Sequence, residues 1–126
     1  MEKVDRTHWE RAELFEFFSA VSHPFYSVTF RVDATNLYRY VKERHLSFYY
    51  AMGYLVTDAV NSVKNFRYAI RDGEVWLLDE RIPSLTDLKP GSEQFHIVTL
   101  PKVGGIAEFC ASAPVSYTHL TLPTKA

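Results

Sequence analysis

The chain has 126 residues, of which 47% are apolar, 15% aromatic and 23% charged, enough for one hydrophobic core but hardly two. Fourteen Lys and Arg against fifteen Asp and Glu leave a formal charge of −1, so there is no electrostatic footprint for a phosphate backbone and nucleic acid is not an expected partner. Charges and prolines interrupt every apolar stretch well short of the roughly 20 residues of a spanning helix, and the start Met1-Glu2-Lys3-Val4-Asp5-Arg6 lacks an apolar signal region, so a cytoplasmic location is expected. The single cysteine, Cys110, excludes an intrachain disulfide and a Cys-Cys zinc knuckle, and reads as a small buried hydrophobe.

Thr7-His8-Trp9-Glu10 has the form of a capping box and leads into Leu14, Phe17, Phe18 and Val21, predicting a short amphipathic helix that ends near His23-Pro24. From Tyr26 to Val32 the even positions Tyr26, Val28, Phe30 and Val32 are apolar and the odd ones polar, the alternation of a half-buried strand. Asp33 can cap a following helix, with Leu37, Tyr40 and Val41 at helical spacing, expected on the surface. The clearest helix runs from about Ser47, its N-cap, to about Lys64. Phe48, Ala51, Met52, Leu55, Val56, Ala59, Val60 and Val63 form its expected core face, and Tyr50, Tyr54, Asp58 and Asn61, polar tips on partly apolar bodies, a wetter side that suits a second contact and is otherwise expected in solvent.

Asp72-Gly73 between Phe66–Ile70 and Glu74–Leu78 predicts a hairpin with a type I′ turn. Pro83 and Pro90-Gly91 bracket an edge strand or loop around Leu85–Leu88, Phe95–Leu100 reads as a further strand, and Gly104-Gly105 precedes a helix starting at Ile106. Residues 114–126 break from this pattern. Read back through one coding frame, Pro114 to Thr124 fit the transposon end and adapter of tagmentation sequencing libraries. The expected organisation is therefore an N-terminal part of a domain over 1–113 and a non-native tail over 114–126.

The five histidines, His8, His23, His45, His96 and His119, show no i, i+4 helical pair and no Cys-x-x-Cys frame accompanies them, so no metal site is expected. G-x-G-x-x-G, G-x-x-x-x-G-K and G-x-S-x-G are all absent, which removes the usual nucleotide loops and the serine elbow. What stands out is aromatic density: Phe15, Phe17, Phe18, Phe25 and Tyr26 crowd one helix end, as ordinary packing or as the lining of a cavity.

Trp9-x-Arg11 leading into Phe15-Glu16-Phe17-Phe18, Phe48-Tyr49 opening the long helix, Phe66-Arg67-x-Ala69-Ile70-x-Asp72-Gly73-Glu74 at the hairpin, and Pro83-x-x-Thr86 with Phe95 downstream occur here in one order. In these motifs, over about residues 5–110, the chain resembles the N-terminal part of the type A chloramphenicol acetyltransferases and their CatA-like O-acetyltransferase relatives. The resemblance implies an α/β two-layer sandwich of the CoA-dependent acyltransferase type, incomplete here, in a homotrimer where acetyl-CoA and a hydroxyl substrate meet between subunits. It implies an acceptor pocket at Phe17, Phe18, Ser22, Pro24, Tyr26 and Phe95, with acetyl-CoA as cosubstrate and no permanently bound cofactor. It aligns Arg11 with an arginine that pairs with the aspartate of a downstream His-His-x-x-x-Asp-Gly motif; otherwise Arg11 is a solvated helix-face residue.

The family's chemistry needs a histidine base to take the acceptor's hydroxyl proton, an effect of roughly 10²- to 10⁴-fold. This sequence contains no His-His pair, and Asp72-Gly73 belongs to the hairpin, so no catalytic residue is assigned and the chain alone is expected to be inactive. Phe18 stands where antibiotic-modifying members carry tyrosine, Asp87-Leu88-Lys89-Pro90-Gly91-Ser92-Glu93-Gln94 replaces their aromatic and acidic run, and His96 follows Phe95 in place of a small polar residue. These departures reshape the implied pocket and argue against assuming chloramphenicol as the acceptor. The rival reading is a noncatalytic ligand-binding or oligomerisation module.

Overall fold

The computed structural model describes residues 1–101 and 104–116. The elements are β1 (Glu2–Lys3), α1 (Ala12–Ser19), α2 (Thr35–Glu43), α3 (Phe48–Ser62), a 3₁₀ turn (Lys64–Arg67), β2 (Tyr68–Arg71), β3 (Glu74–Leu77), β4 (Ser84–Leu88), β5 (Phe95–Thr99) and α4 (Ile106–Ser116). The class is α/β. β1, β3 and β2 form one antiparallel sheet in that order, and β4 and β5 a separate antiparallel pair. The core lies where α2, α3 and α4 meet the β4–β5 pair: Val41, Tyr50, Ala51, Val98, Leu100, Phe109 and Cys110, with Leu37, Tyr40, Tyr54 and Leu85 against them.

The long helix forms as expected, with the Ser47 hydroxyl accepting the Tyr50 N–H at 3.3 Å. Its buried face is only partly the expected one. Ala51 is fully buried as read, but Tyr50 and Thr57 are 6% and 7% exposed, whereas Leu55, Val56 and Val63 are exposed, Val56 by 53%. Hydrogen bonding explains the shift, because the inward polar tips have partners and their apolar bodies can be buried without loss. The Tyr50 hydroxyl donates to Asp87, Tyr54 to the Gly104 carbonyl at 3.2 Å, and Thr57 to the Gly53 carbonyl at 2.7 Å. Asn61 brackets Arg81, donating to its carbonyl at 3.0 Å and accepting its N–H at 2.6 Å. Gly53 lets the helix backbone approach β4, since a Cβ there would sit 3.1 Å from Leu85 Cδ1.

Two further expectations are corrected. Tyr26–Val32 is not a strand: no described strand pairs with it, and both sets of side chains are exposed, Tyr26 by 90%. Alternation encodes two faces; a ladder also needs an edge to join. Next, Thr7 and Glu10 do not cap α1. The Asp5 carboxylate accepts the Thr7 N–H at 3.0 Å and pairs with the His8 ring at 2.7 Å, closing a turn that delays the helix to Ala12. The helix then stops at Ser19, short of His23. α2 lies at the surface as expected, with Asn36, Arg39, Lys42 and Glu43 exposed, while its apolar stripe turns inward: Val41 is fully buried and Leu37 and Tyr40 pack on the core. Asp33 does close its start, accepting from the Thr35 N–H and hydroxyl.

The hairpin is formed as read, with Asp72 and Gly73 at φ 52° and 76° and Arg71 opposite Glu74, the I′ geometry. β4, β5 and the helix after Gly104-Gly105 are present as well, the last with Glu108 accepting the Gly105 N–H at 3.0 Å. β1 was not foreseen: it pairs Glu2 with Leu77 and Lys3 with Trp76, and the terminal amine meets Asp79 at 2.6 Å. Of the expected tail, residues 117–126 lie outside the described residues.

Two stability outcomes follow. α2 ends in a Schellman motif, the Leu46 N–H bonding the Val41 carbonyl at 2.9 Å, and its left-handed position is His45 at φ 54°. His45→Gly is expected to stabilise the chain by about 0.5–1 kcal/mol in denaturant melts, relief of the strained φ outweighing the added chain entropy. Asn61→Ala strips both backbone groups of Arg81 and should cost about 1–3 kcal/mol, while Val56→Ala should cost about 0.5 kcal/mol or less. The reverse ranking in the same melts would restore the face expected from apolar periodicity.

Candidate functional site

Two aromatic grooves stand out among the described residues. The first, about 350 Å³, lies between α1, Pro24 and the base of the β2–β3 hairpin. Trp9 anchors it, because its indole N–H donates to the Tyr68 hydroxyl at 3.2 Å while the rings meet edge to face, centroids 5.0 Å apart. Phe15 tilts against the same indole at 5.9 Å, and Phe18, Pro24 and Arg11 complete the lining. The hairpin base is fixed from behind by Arg67, whose guanidinium donates to the Leu78 and Asp79 carbonyls, and by Arg81, which donates to the Phe66 and Tyr68 carbonyls.

The second groove, about 340 Å³, is lined by Tyr49, Thr86, Asp87, Leu88 and Phe95. It sits where the first turn of α3 meets β4 and β5. The Tyr49 hydroxyl donates to the Thr86 carbonyl at 2.8 Å, and Leu88 pairs across the ladder with Phe95.

Arg11, Phe18 and Pro24 therefore come together in the first groove and Phe95 stands in the second. Phe17 packs edge to face on Phe18 with centroids 5.2 Å apart but turns outward, and Ser22 and Tyr26 are exposed on the segment after α1; these three line neither groove. Sequence reading did not single out Tyr49, Tyr68 or Asp87 for the site. Their partners lie tens of residues away, so no local pattern signals them. His96 is buried opposite Asp87, and among the described residues no three His, Cys, Asp or Glu side chains converge as a metal site. Asp5 is held below the ordinary carboxylate range, chiefly by its hydrogen bond to His8, on an exposed turn that lines neither groove.

Cys110 is the buried hydrophobe expected, 7% exposed against the start of α3, and burial pushes its thiol above the usual value. Native chain at mildly alkaline pH should therefore react with a disulfide reagent far more slowly than the denatured chain; equal rates would mean the α3–α4 contact opens freely.

A solved chloramphenicol acetyltransferase structure shares this fold, with a TM-score of 0.85 and 26% identity over 98% of this chain and 58% of that one. The chain thus has the α/β fold of that structure. The Chloramphenicol acetyltransferase family profile matches residues 1–117. The chain is 39% identical over 95 residues to the chloramphenicol acetyltransferase of Clostridium perfringens, covering 75% of this chain and 44% of the relative. It is 32% identical over 107 residues to chloramphenicol acetyltransferase 3 of Escherichia coli, covering 85% and 50%. The chain belongs to the chloramphenicol acetyltransferase family, and it spans about half the length of these relatives.

Proposed function

We propose that the protein to which this chain corresponds moves an acetyl group from acetyl-CoA to the hydroxyl of an acceptor alcohol, in a cytoplasmic homotrimer. Phe17, Phe18, Ser22, Pro24, Tyr26 and Phe95 are the proposed acceptor wall. In the family's fold, the observation that carries this reading is the first groove: aromatic rings held by the Trp9–Tyr68 contact, with one cationic side chain, Arg11, at its lining. Such a groove takes an apolar alcohol by area and orients it by a few polar contacts. Phe18 offers a ring without a hydroxyl, so acceptors that depend on a hydrogen bond at that point are disfavoured.

The chemistry requires an alkoxide-like oxygen to attack the thioester carbonyl, the hydroxyl proton leaving to a base and the CoA thiolate departing from the tetrahedral intermediate. No His-His-x-x-x-Asp-Gly run occurs in the sequence, so the proposal assigns binding and positioning to these residues and no proton transfer. Residues 1–113 are taken as the N-terminal part of the domain and 114–126 as a non-native tail, a reading supported by the adapter-like coding frame.

Release of CoA thiol from acetyl-CoA should depend on an added alcohol in a longer protein carrying both this sequence and the histidine motif, and residues 1–126 alone should give none. Alcohol binding without thiol release in the longer protein would favour the noncatalytic module. Turnover by residues 1–126 alone would overturn the assignment of roles.

A further inference from the structure

Residues 26–32 keep the hydrogen-bonding capacity of their backbone: among the described residues, none of their N–H or C=O groups bonds another backbone group. All seven side chains are exposed, Phe30 by 75%. The segment holds no Gly or Pro and a single charge, Arg31, so it lacks most of the devices that stop a strand-forming run from pairing with another chain. Pro24 lies just before it, and Asp33, bonded to Thr35 at the start of α2, ends it, which leaves the length of an ordinary strand.

The order of its residues makes the segment complementary to itself. Set antiparallel to a copy about a twofold axis at Thr29, Tyr26 lies opposite Val32 and Val28 opposite Phe30, so every apolar pair joins an aromatic ring to a β-branched chain. On the other face Thr29 meets Thr29, a favourable cross-strand pair, and each Arg31 stands opposite Ser27, away from its like charge. Use of the same patch on both copies closes the assembly at two. The area suffices as well: the rings of Phe17, Phe18, Phe25, Tyr26 and Phe30, each at least half exposed, leave roughly 500–900 Å² of apolar surface on each chain, against about 800 Å² per partner in a stable interface.

We propose that 26–32 is a homotypic docking strand, pairing antiparallel with the same residues of a second copy of this chain, centred on Thr29, to give a twofold dimer. The inference concerns the 126-residue chain and rests on this segment, independently of the acetyl-transfer reading and of the homotrimer proposed for the longer protein.

Sedimentation velocity of the full chain should show the mass rising from one chain to a plateau at two as concentration passes through the micromolar range, with amide exchange at 26–32 slowing in step. A monomer throughout overturns the proposal, whether its 26–32 amides exchange freely or are already protected by the chain itself, and growth past two chains without a plateau rejects the closed pairing. Phe30→Lys sets two like charges diagonally across the ribbon and should weaken the dimer about tenfold or more. Val56→Lys, at an exposed position of α3, should leave it unchanged, and equal loss in both variants would assign association to general apolar adhesion and reject the segment. Mild oxidation should cross-link Thr29→Cys and spare Ser27→Cys, because residue 29 meets its own copy at the axis while residue 27 meets Arg31, and the native Cys110 is buried. Equal cross-linking of the two overturns the register.

Discussion

The described architecture depends on burying tyrosine in the α3 interface without stranding its hydroxyl. Tyr50 and Tyr54 carry large apolar rings into the contact between α3, the β4–β5 pair and α4, and each ends in a donor that must be matched once water is excluded. Asp87 on β4 and the Gly104 carbonyl ahead of α4 meet that demand. The same bonds that remove a penalty therefore fix the positions of the neighbouring elements. A leucine at either position would bury comparable area but would not specify where β4 or the turn into α4 must lie. Gly53 completes the arrangement by letting the helix backbone reach Leu85.

This constraint explains which parts of the fold were legible from residues alone. The I′ turn at Asp72-Gly73, the Ser47 cap, the strands around Leu85 and Phe95 and the helix after Gly105 are set by chemistry within a few positions, and each is present. What failed was non-local. Apolar periodicity chose the Leu55–Val56–Val63 side of α3 because a hydropathy pattern counts a tyrosine hydroxyl as polar without knowing whether a partner 37 residues away awaits it. The Thr7 capping box lost to Asp5, a stronger acceptor two residues upstream of Thr7, and β1 escaped notice because two residues carry no period.

The candidate site divides along the same line. Phe18, Pro24 and Arg11 are near one another in sequence and meet in one groove, whereas Phe95 lines another with Tyr49, Thr86, Asp87 and Leu88, where α3 meets β4. Family resemblance pointed to Phe95 through spacing from Thr86. It could not point to Asp87, because the departure from the family's run at 87–94 is visible in sequence while its attachment to Tyr50 is visible only in three dimensions.

The segment 26–32 bears on how the two grooves relate. Its alternating Tyr26, Val28, Phe30 and Val32 carry the β-branched and aromatic composition that pairs well on a pleated surface, yet among the described residues it touches no ladder and both faces stand in solvent. α1 likewise has no buried residue, and Phe17 and Phe18 spend their edge-to-face contact on each other. The first groove is therefore built from elements whose apolar surface exceeds what the described core covers, while the second is built on the core itself. An acceptor wall spanning Phe18 and Phe95 requires α1 and the segment after it to gain packing that holds them against the α3 layer. The Trp9–Tyr68 contact is where that packing would be transmitted, because together with the β1–β3 pairing it ties the residues before α1 to the hairpin, and it does so at the groove.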